Sequence, residues 1–406
     1  MRDPNAIRSV TLVLCTPAGE LLGALPPFDV PAPWWQEVSG IVAGAQSAYG
    51  VDVIVLRLLA TRDPFGEGGP VTYLAEVAGP VPVAQPWDGP DPLADHPLRL
   101  PYARPGGPDA DLAWADEVLA DRGSRRTGPA EQQRTWNLSS VWRLPTRDGP
   151  VWLKVVPPFF GHEGPMLERL YADHPGLVPP LLAVDHRRVL LANVPGGDNY
   201  HAGLPILLEL VRTLVGLQAE WVDRVDELLS LGAPDWRATA FAVAAADVLA
   251  RTADRLDDAT VAGVHGLIDG LPQRFAGLAE CGLPDTLVHG DFHPGNTIGD
   301  GPHPVVLDWG DCGVGNPLLD QAAFTGRMAD VDHATVVEEW ADQWQQRVPG
   351  CDPRRAAGLI SPVAAVRQAM IYRMFLDNIE PDERVYHAGD PATWLRRAAE
   401  LATAER

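Results

Sequence analysis

Between Leu287 and Asp320 the chain reads LVHGDFHPGNTIGDGPHPVVLDWGDCGVGNPLLD. Three oxygen-bearing side chains stand there in order: Asp291, Asn296 and Asp308. Phosphoryl transfer asks little covalent chemistry of a protein. It needs a carboxylate to orient an attacking hydroxyl and accept its proton, and oxygen ligands for the Mg²⁺ that accompanies nucleotide phosphates. A carboxylate and a carboxamide oxygen are the hard donors that Mg²⁺ prefers. The short apolar runs Leu287-Val288 and Val305-Val306-Leu307 flank a Gly/His/Pro-rich loop, so the stretch reads as strand, loop, strand.

Asp291 and Asn296 are separated as are the base and the Mg²⁺-binding Asn of the kinase catalytic loop, with Gly290 where protein kinases carry Arg. HGDFHPGN, then VVLDWGD, then GNPLLD resembles the catalytic core of the aminoglycoside phosphotransferase family, relatives of the choline kinases and, more distantly, of protein kinases. The resemblance covers roughly residues 136–324 and, more loosely, the remainder. It implies ATP and Mg²⁺ as cofactors and a small-molecule hydroxyl as acceptor. Asp291 would be the catalytic residue and Asn296 and Asp308 the metal ligands. His289 would pack beneath this loop as a structural hydrogen-bonder. Asp311 could reach the metal through water or cap a turn.

The chain has 32 basic residues, and Lys154 alone among them is lysine. It lies in the apolar run Val151-Trp-Leu-Lys-Val-Val156, the context of the kinase lysine that reaches the α- and β-phosphates. An arginine fork does not replace a compact ammonium there. Glu163, in the first turn of a helix expected from residue 161, resembles the acidic partner that aims this lysine; Glu168 is the competitor. The hairpin that would cover the phosphates has no G-x-G-x-x-G. Asn137, Ser139 and Ser140 stand in its place, the serines either as phosphate contacts or as ordinary hairpin polarity. The strand ending at Asn193 is followed by Val194-Pro-Gly-Gly197, which by resemblance is the hinge whose backbone holds adenine.

These residues need elements to position them. Residues 9–90 read as strands around a helix from Trp34 to Tyr49, stopped by Gly50, with a loop at 63–69 between the last two strands. This order resembles a Nudix fold without its metal-binding glutamates, hence a cap or interaction module. Residues 79–108 are dense in Pro and Gly and read as a linker. Residues 205–231 carry Leu207, Leu210, Val211, Leu214, Leu217 and Trp221 on one helical face. Further helices follow, interrupted by the acidic segment FLDNIEPDER, where Asp377, Glu380, Asp382 and Glu383 are candidates for binding a substrate amine. The fold class expected is α+β. It is a bilobal protein-kinase-like fold, with a β-rich nucleotide lobe and a mostly helical C-terminal lobe, plus an extra N-terminal α+β module. The expected domains are 1–90, 91–195 and 196–406.

Composition narrows the functions further. A net charge of −22 argues against nucleic acid or an anionic membrane as partner, and is compatible with a cationic substrate. No apolar run is long enough for a membrane span and the first ten residues lack a secretory core, so a cytoplasmic protein is expected, as monomer or homodimer. Cys15, Cys281, Cys312 and Cys351 are scattered, which fits neither zinc nor redox motifs. The expected function is ATP-dependent phosphoryl transfer to an aminoglycoside-like or amino-sugar compound. Rival readings are a metabolic sugar or amino-alcohol kinase and a ligand-sensing pseudokinase; the complete Asp291/Asn296/Asp308/Lys154 set argues against the last.

Overall fold

The computed structural model describes residues 6–32, 34–61, 68–81, 83–299, 304–328 and 330–404. Most of the expected loop at 63–69 lies outside them. Contacts gather the chain into two compact units. The first comprises Met1–Phe159, Leu181–Asn193 and Phe375–Ala388; the second comprises Phe160–Pro180, Val194–Met374 and Gly389–Arg406.

The first unit holds two sheets. In the N-terminal one, strand Ile7–Cys15 lies between Leu21–Ala24 and Gly69–Glu76, with Ile54–Thr61 outermost and Phe28–Pro31 also paired to the first strand. Ile7–Cys15 and Gly69–Glu76 run parallel; the other pairs are antiparallel. Successive side chains of a strand point to opposite faces. Accordingly Leu12 and Leu14 enter one core cluster, while Val13 and Cys15 enter another on the opposite face. The helix spans Ser39–Tyr49 and ends where expected, on Gly50 in the left-handed region at φ 66°, its N–H donating to the Gln46 carbonyl. It begins five residues later than the Trp34 start expected. Trp35 sits in irregular backbone, buried, and its carbonyl accepts from the Tyr73 hydroxyl at 2.7 Å.

The second sheet is antiparallel, in the order Glu131–Trp136, Ser139–Leu144, Val151–Val155, Arg188–Ala192, Leu181–Asp185. Gln132 joins the two sheets at their edges: its side-chain amide accepts from the Val55 N–H at 2.9 Å and donates to the Val55 carbonyl at 2.7 Å. A side chain thereby satisfies backbone groups that an exposed edge would leave open. The expected boundary at residue 90 is therefore not a boundary between compact units. The segment Phe375–Ala388 completes this unit, with the Tyr386 ring 5.1 Å from Trp35 and 6.1 Å from Trp136.

The second unit is mostly helical. Leu204–Glu220 buries Leu207, Leu210, Val211, Leu214 and Leu217, as their spacing implies. It stops at Glu220, short of 231; a tight turn at Val222–Arg224 and a short helix, Val225–Ser230, follow. Long helices span Asp330–Arg347, Pro353–Asn378 and Asp390–Ala404. Among the described residues, no helix is long and apolar enough to cross a membrane. All four cysteines are buried and unbridged.

Candidate active site

The stretch around Asp291 forms two small ladders rather than one strand–loop–strand unit. Thr286–Val288 pairs antiparallel with Gly313–Gly315, and Thr297–Ile298 pairs with Val305–Val306. Asp291 follows Thr286–Val288, Asn296 closes a 3₁₀ turn (Pro294–Asn296), and Asp308 follows Val305–Val306.

The loop is cross-braced. His289 is fully buried, and its Nδ1 accepts from the Asp291 N–H at 3.3 Å. Its proton therefore sits on Nε2, which reaches the Leu307 carbonyl at 2.8 Å and ties the catalytic loop to the strand before Asp308. Asp320 is fully buried as well. Its carboxylate accepts from the His289 N–H at 2.8 Å, the Gly290 N–H at 2.7 Å and the Gln218 amide at 2.9 Å. Gly290 adopts φ 86°, and a Cβ there would collide with the Asp311 carbonyl oxygen and the Arg367 guanidinium. That explains a glycine where protein kinases carry Arg. Arg367 supplies a guanidinium from helix Pro353–Asn378 instead. It donates to the Gly290 carbonyl at 2.9 Å and the Asp311 carbonyl at 2.8 Å, and stacks 4.8 Å over the Trp236 ring. Phe292 stacks on Phe324 at 5.4 Å, and Trp340 closes the same cluster beneath the loop.

The side chains singled out in the sequence are less deeply buried. Asn296 donates from Nδ2 to the Asp291 backbone carbonyl at 3.0 Å and to Asp291 Oδ2 at 3.3 Å. The amide is thereby oriented, and its Oδ1 is the atom that can bind a cation. Asp308 is exposed and left-handed at φ 61°, an uncommon backbone for a residue with a side chain, of the kind that clusters at functional sites. Asp311 is half-buried, and desolvation pushes its carboxyl up to about 7, with the nearby charges of Asp291 and Asp308 adding and Arg367 opposing. His293 has the reverse problem. Burial, with help from Arg327, holds its imidazole down at about 4, so it is neutral at physiological pH, with Nε2 at 3.7 Å from Asp291 Oδ2. The other carboxylate oxygen, Oδ1, is paired with Arg327 Nη2 at 2.6 Å.

Lys154 lies in the middle strand of the five-stranded sheet, in register with Val141 on one side and Val189 on the other. It is not on a sheet edge. Glu163 opens helix Glu163–Asp173 and is buried, whereas Glu168 is exposed. A Cβ on Gly310 would lie 3.4 Å from a Glu163 carboxylate oxygen, which places that carboxylate beside the turn after Asp308. Ser139 and Ser140 are buried, and their hydroxyls accept from the indoles of Trp136 at 3.2 Å and Trp142 at 3.0 Å. The structure gives them the hairpin role. Asn193 Oδ1 accepts from the Trp152 indole at 2.9 Å, and the division between the two units falls between Asn193 and Val194.

The acidic segment requires a correction. Glu380 is buried in the first unit and takes a fork from Arg99, at 3.0 and 2.8 Å, with Arg57 at 4.0 Å. Glu383 is buried, and burial pushes its carboxyl up to about 8. Asp382 is half exposed, 3.7 Å from Arg57. Asp377 opens the same run, on the last turn of helix Pro353–Asn378. Glu380 and Glu383 are thus structural carboxylates, not open receptors for an amine.

Among the described residues, no group of three or more His, Cys, Asp or Glu side chains is arranged to hold a metal. Two oxygen donors, Asn296 and Asp308, are what a cation completed by phosphates and water requires.

The sequence matches the phosphotransferase enzyme family over residues 133–359, more than half of the chain. The chain belongs to that family. Solved structures with the same fold include a type I macrolide 2'-phosphotransferase (16% identity, TM-score 0.53, covering 70% of this chain and 97% of that one). A Ralstonia eutropha JMP134 protein assigned as an aminoglycoside phosphotransferase is similar (18% identity, TM-score 0.53, 73% and 98%). So is a choline kinase from Cryptosporidium parvum Iowa II (10% identity, TM-score 0.51, 73% and 97%). No curated protein matches significantly. The fold is the kinase-like α+β architecture, and this phosphotransferase is a small-molecule kinase acting on a hydroxyl acceptor.

Proposed function

We propose that this phosphotransferase moves the γ-phosphoryl group of Mg·ATP to a small-molecule hydroxyl, with Asp291 as the residue that orients that hydroxyl and accepts its proton. The observation that carries the reading is the Asn296 amide. Its nitrogen is engaged by Asp291, so its oxygen is presented for a cation beside the base. Asp308 supplies the second, anionic oxygen. Mg²⁺ would supply neutralisation of charge on the phosphates during transfer. Lys154, aimed by Glu163, would hold the α- and β-phosphates.

Lys154 also supplies the test, because no second lysine confuses the result. An acyl phosphate of ATP should acylate Lys154, and excess Mg·ATP should protect it. Lys154→Arg keeps the charge in the wrong shape and should lose activity while staying folded. Unprotected labelling, or an active Lys154→Arg enzyme, would remove the nucleotide site from this strand.

An aminoglycoside-like or amino-sugar acceptor drew support from the family and from the acidic segment. With Glu380 and Glu383 engaged inside the first unit, family membership is what continues to support it.

A further inference from the structure

The helical unit contains a cavity of about 910 Å³ walled by the helices Leu318–Thr325, Pro353–Asn378 and Asp390–Ala404. Its charged lining is Arg327, Arg367, Arg396, Arg397 and Glu400, with His333. Two of these arginines touch the catalytic loop. Arg367 binds the Gly290 carbonyl, and Arg327 binds Asp291 Oδ1. The cavity therefore reaches to within one guanidinium of the proposed base.

We propose that this cavity is the acceptor site, that it selects a hydroxylated acid bearing a carboxylate or phosphate group, and that Arg327 is the residue that reads the acid. The inference rests on the phosphoryl-transfer reading above and names its substrate class.

Asp291 has two oxygens. Oδ2 is held by Asn296 and faced by His293 Nε2, while Oδ1 is held by Arg327. Arg327 both lines the cavity and holds Oδ1, so an acceptor hydroxyl that reaches Asp291 from the cavity meets Arg327 first. An ammonium on that acceptor would be set against Arg327, with Arg367 and Arg396 behind it. The lining carboxylate, Glu400, already faces Arg397 at 3.4 Å. An anionic group has the opposite fate. A guanidinium carries five donors in a planar fork suited to carboxylate or phosphate, more than one carboxylate oxygen uses. An acceptor anion draws Arg327 toward itself and leaves Oδ1 to take the hydroxyl proton. The Arg327 side chain is 41% exposed, so it has room to turn. Without such an acceptor, Arg327 keeps the base engaged, which also restrains transfer to water.

The test is acceptor-dependent ADP release with matched alcohols: glycerate against glycerol and ethanolamine, and gluconate and glucose 6-phosphate against glucose and glucosamine. Wild type should use an acidic member about tenfold or more better than its neutral partner in kcat/KM, a difference of the size one charged contact provides. Carboxylate and phosphate members separate the two sources of negative charge. Arg327→Gln should raise KM for acidic acceptors far more than for neutral ones, and Arg327→Lys should recover part of the loss. Turnover confined to neutral or aminated alcohols overturns the proposal. So does indifference to every acidic member, or an Arg327→Gln effect equal for acidic and neutral acceptors. Mg·ATP protection of Lys154 is measured on the same enzyme. If protection persists while acids are ignored, this inference alone falls; if protection is absent, the reading beneath it falls too.

Discussion

Two groups of carboxylates lie on this chain, and the molecule treats them in opposite ways. Around the catalytic loop, Asp291 keeps its side chain 24% exposed, Asp308 is exposed, and Asn296 offers an amide oxygen. In the segment Phe375–Ala388, Glu380 and Glu383 are buried, and Arg99 clamps Glu380 through two hydrogen bonds. The first group is braced through its backbone: His289, Asp320 and Arg367 bind main-chain atoms of residues 289–291, 307 and 311. The second group is braced through its own carboxylates. Asp291 does have side-chain partners, Arg327 on Oδ1 and Asn296 on Oδ2, but its pair with Arg327 is partly exposed, so most of the rigidity of the catalytic loop comes from the main chain. A segment that only fastens secondary structure together can use the carboxylates directly.

The sharpest way to break this contrast is to substitute one carboxylate from each group. Asp291→Asn should lower kcat by about 10²–10⁴-fold, the usual effect of removing a general base, and leave Mg·ATP affinity and thermal stability nearly unchanged. Steady-state kinetics with calorimetry of Mg·ATP binding would show it. A variant within a few-fold of wild type would mean that Asp291 is not the base. Glu380→Ala should do the reverse. Breaking a buried ion pair by deleting one partner typically costs about 3–5 kcal/mol, because Arg99 and Arg57 are left desolvated. Chemical denaturation would read that loss, while the acceptor KM of the folded fraction should stay put. A large KM change without a stability change would return Glu380 to the substrate site.

Smaller in expected effect is Asp320→Asn. The neutral amide keeps an oxygen for one of the two backbone donors, His289 or Gly290, and places an NH₂ against the other. Activity should fall by roughly tenfold to a hundredfold, a range seen when a supporting contact behind a functional residue is lost. The fall should show in kcat more than in the acceptor KM. Equal stability and equal kcat would show that Asp320 does not hold the loop.

The proposed catalytic group can be read from the sequence because its members lie close together in it. Asp291, Asn296 and Asp308 fall within one loop and the strands around it, so their spacing carries the geometry. Lys154 is proposed for another reason, its isolation among arginines in an apolar strand. Their supports were not legible. Arg367 meets Gly290 from 77 positions away, and nothing local distinguishes it from the other arginines. Arg327 follows helix Leu318–Thr325 with no motif around it. Asp320 closes the quoted GNPLLD, but its carboxylate is aimed by a helix that spacing alone does not orient. The acidic segment misled because charge in a sequence says nothing about who pays it back: Arg99 reaches Glu380 across 281 positions. Ser139 and Ser140 stay ambiguous in the sequence, since hairpin serines near a nucleotide site and hairpin serines under tryptophans have the same local pattern.

The comparison sharpens last on pH, through Glu383. Burial raises its carboxyl from an ordinary 4.5 to about 8, with the charge of Glu380 adding and Arg57 opposing. The sign follows from linkage. A carboxyl whose folded value is raised binds its proton more tightly in the folded chain, so its contribution is fully present below pH 4.5 and is lost as pH rises through about 8. Each unit of displacement is worth about 1.4 kcal/mol at most between the two limits. Wild type should therefore lose stability between pH 5 and 9 by more than its other groups account for. Glu383→Gln carries no ionisable proton and resembles the protonated carboxyl in shape. It should match wild type near pH 5 and exceed it at pH 9, a divergence that thermal melts at the two pH values would reveal. Acceptor turnover should follow wild type in both conditions, because Glu383 is buried within the first unit. Parallel pH–stability curves for the two proteins would show that Glu383 does not hold its proton in the folded chain.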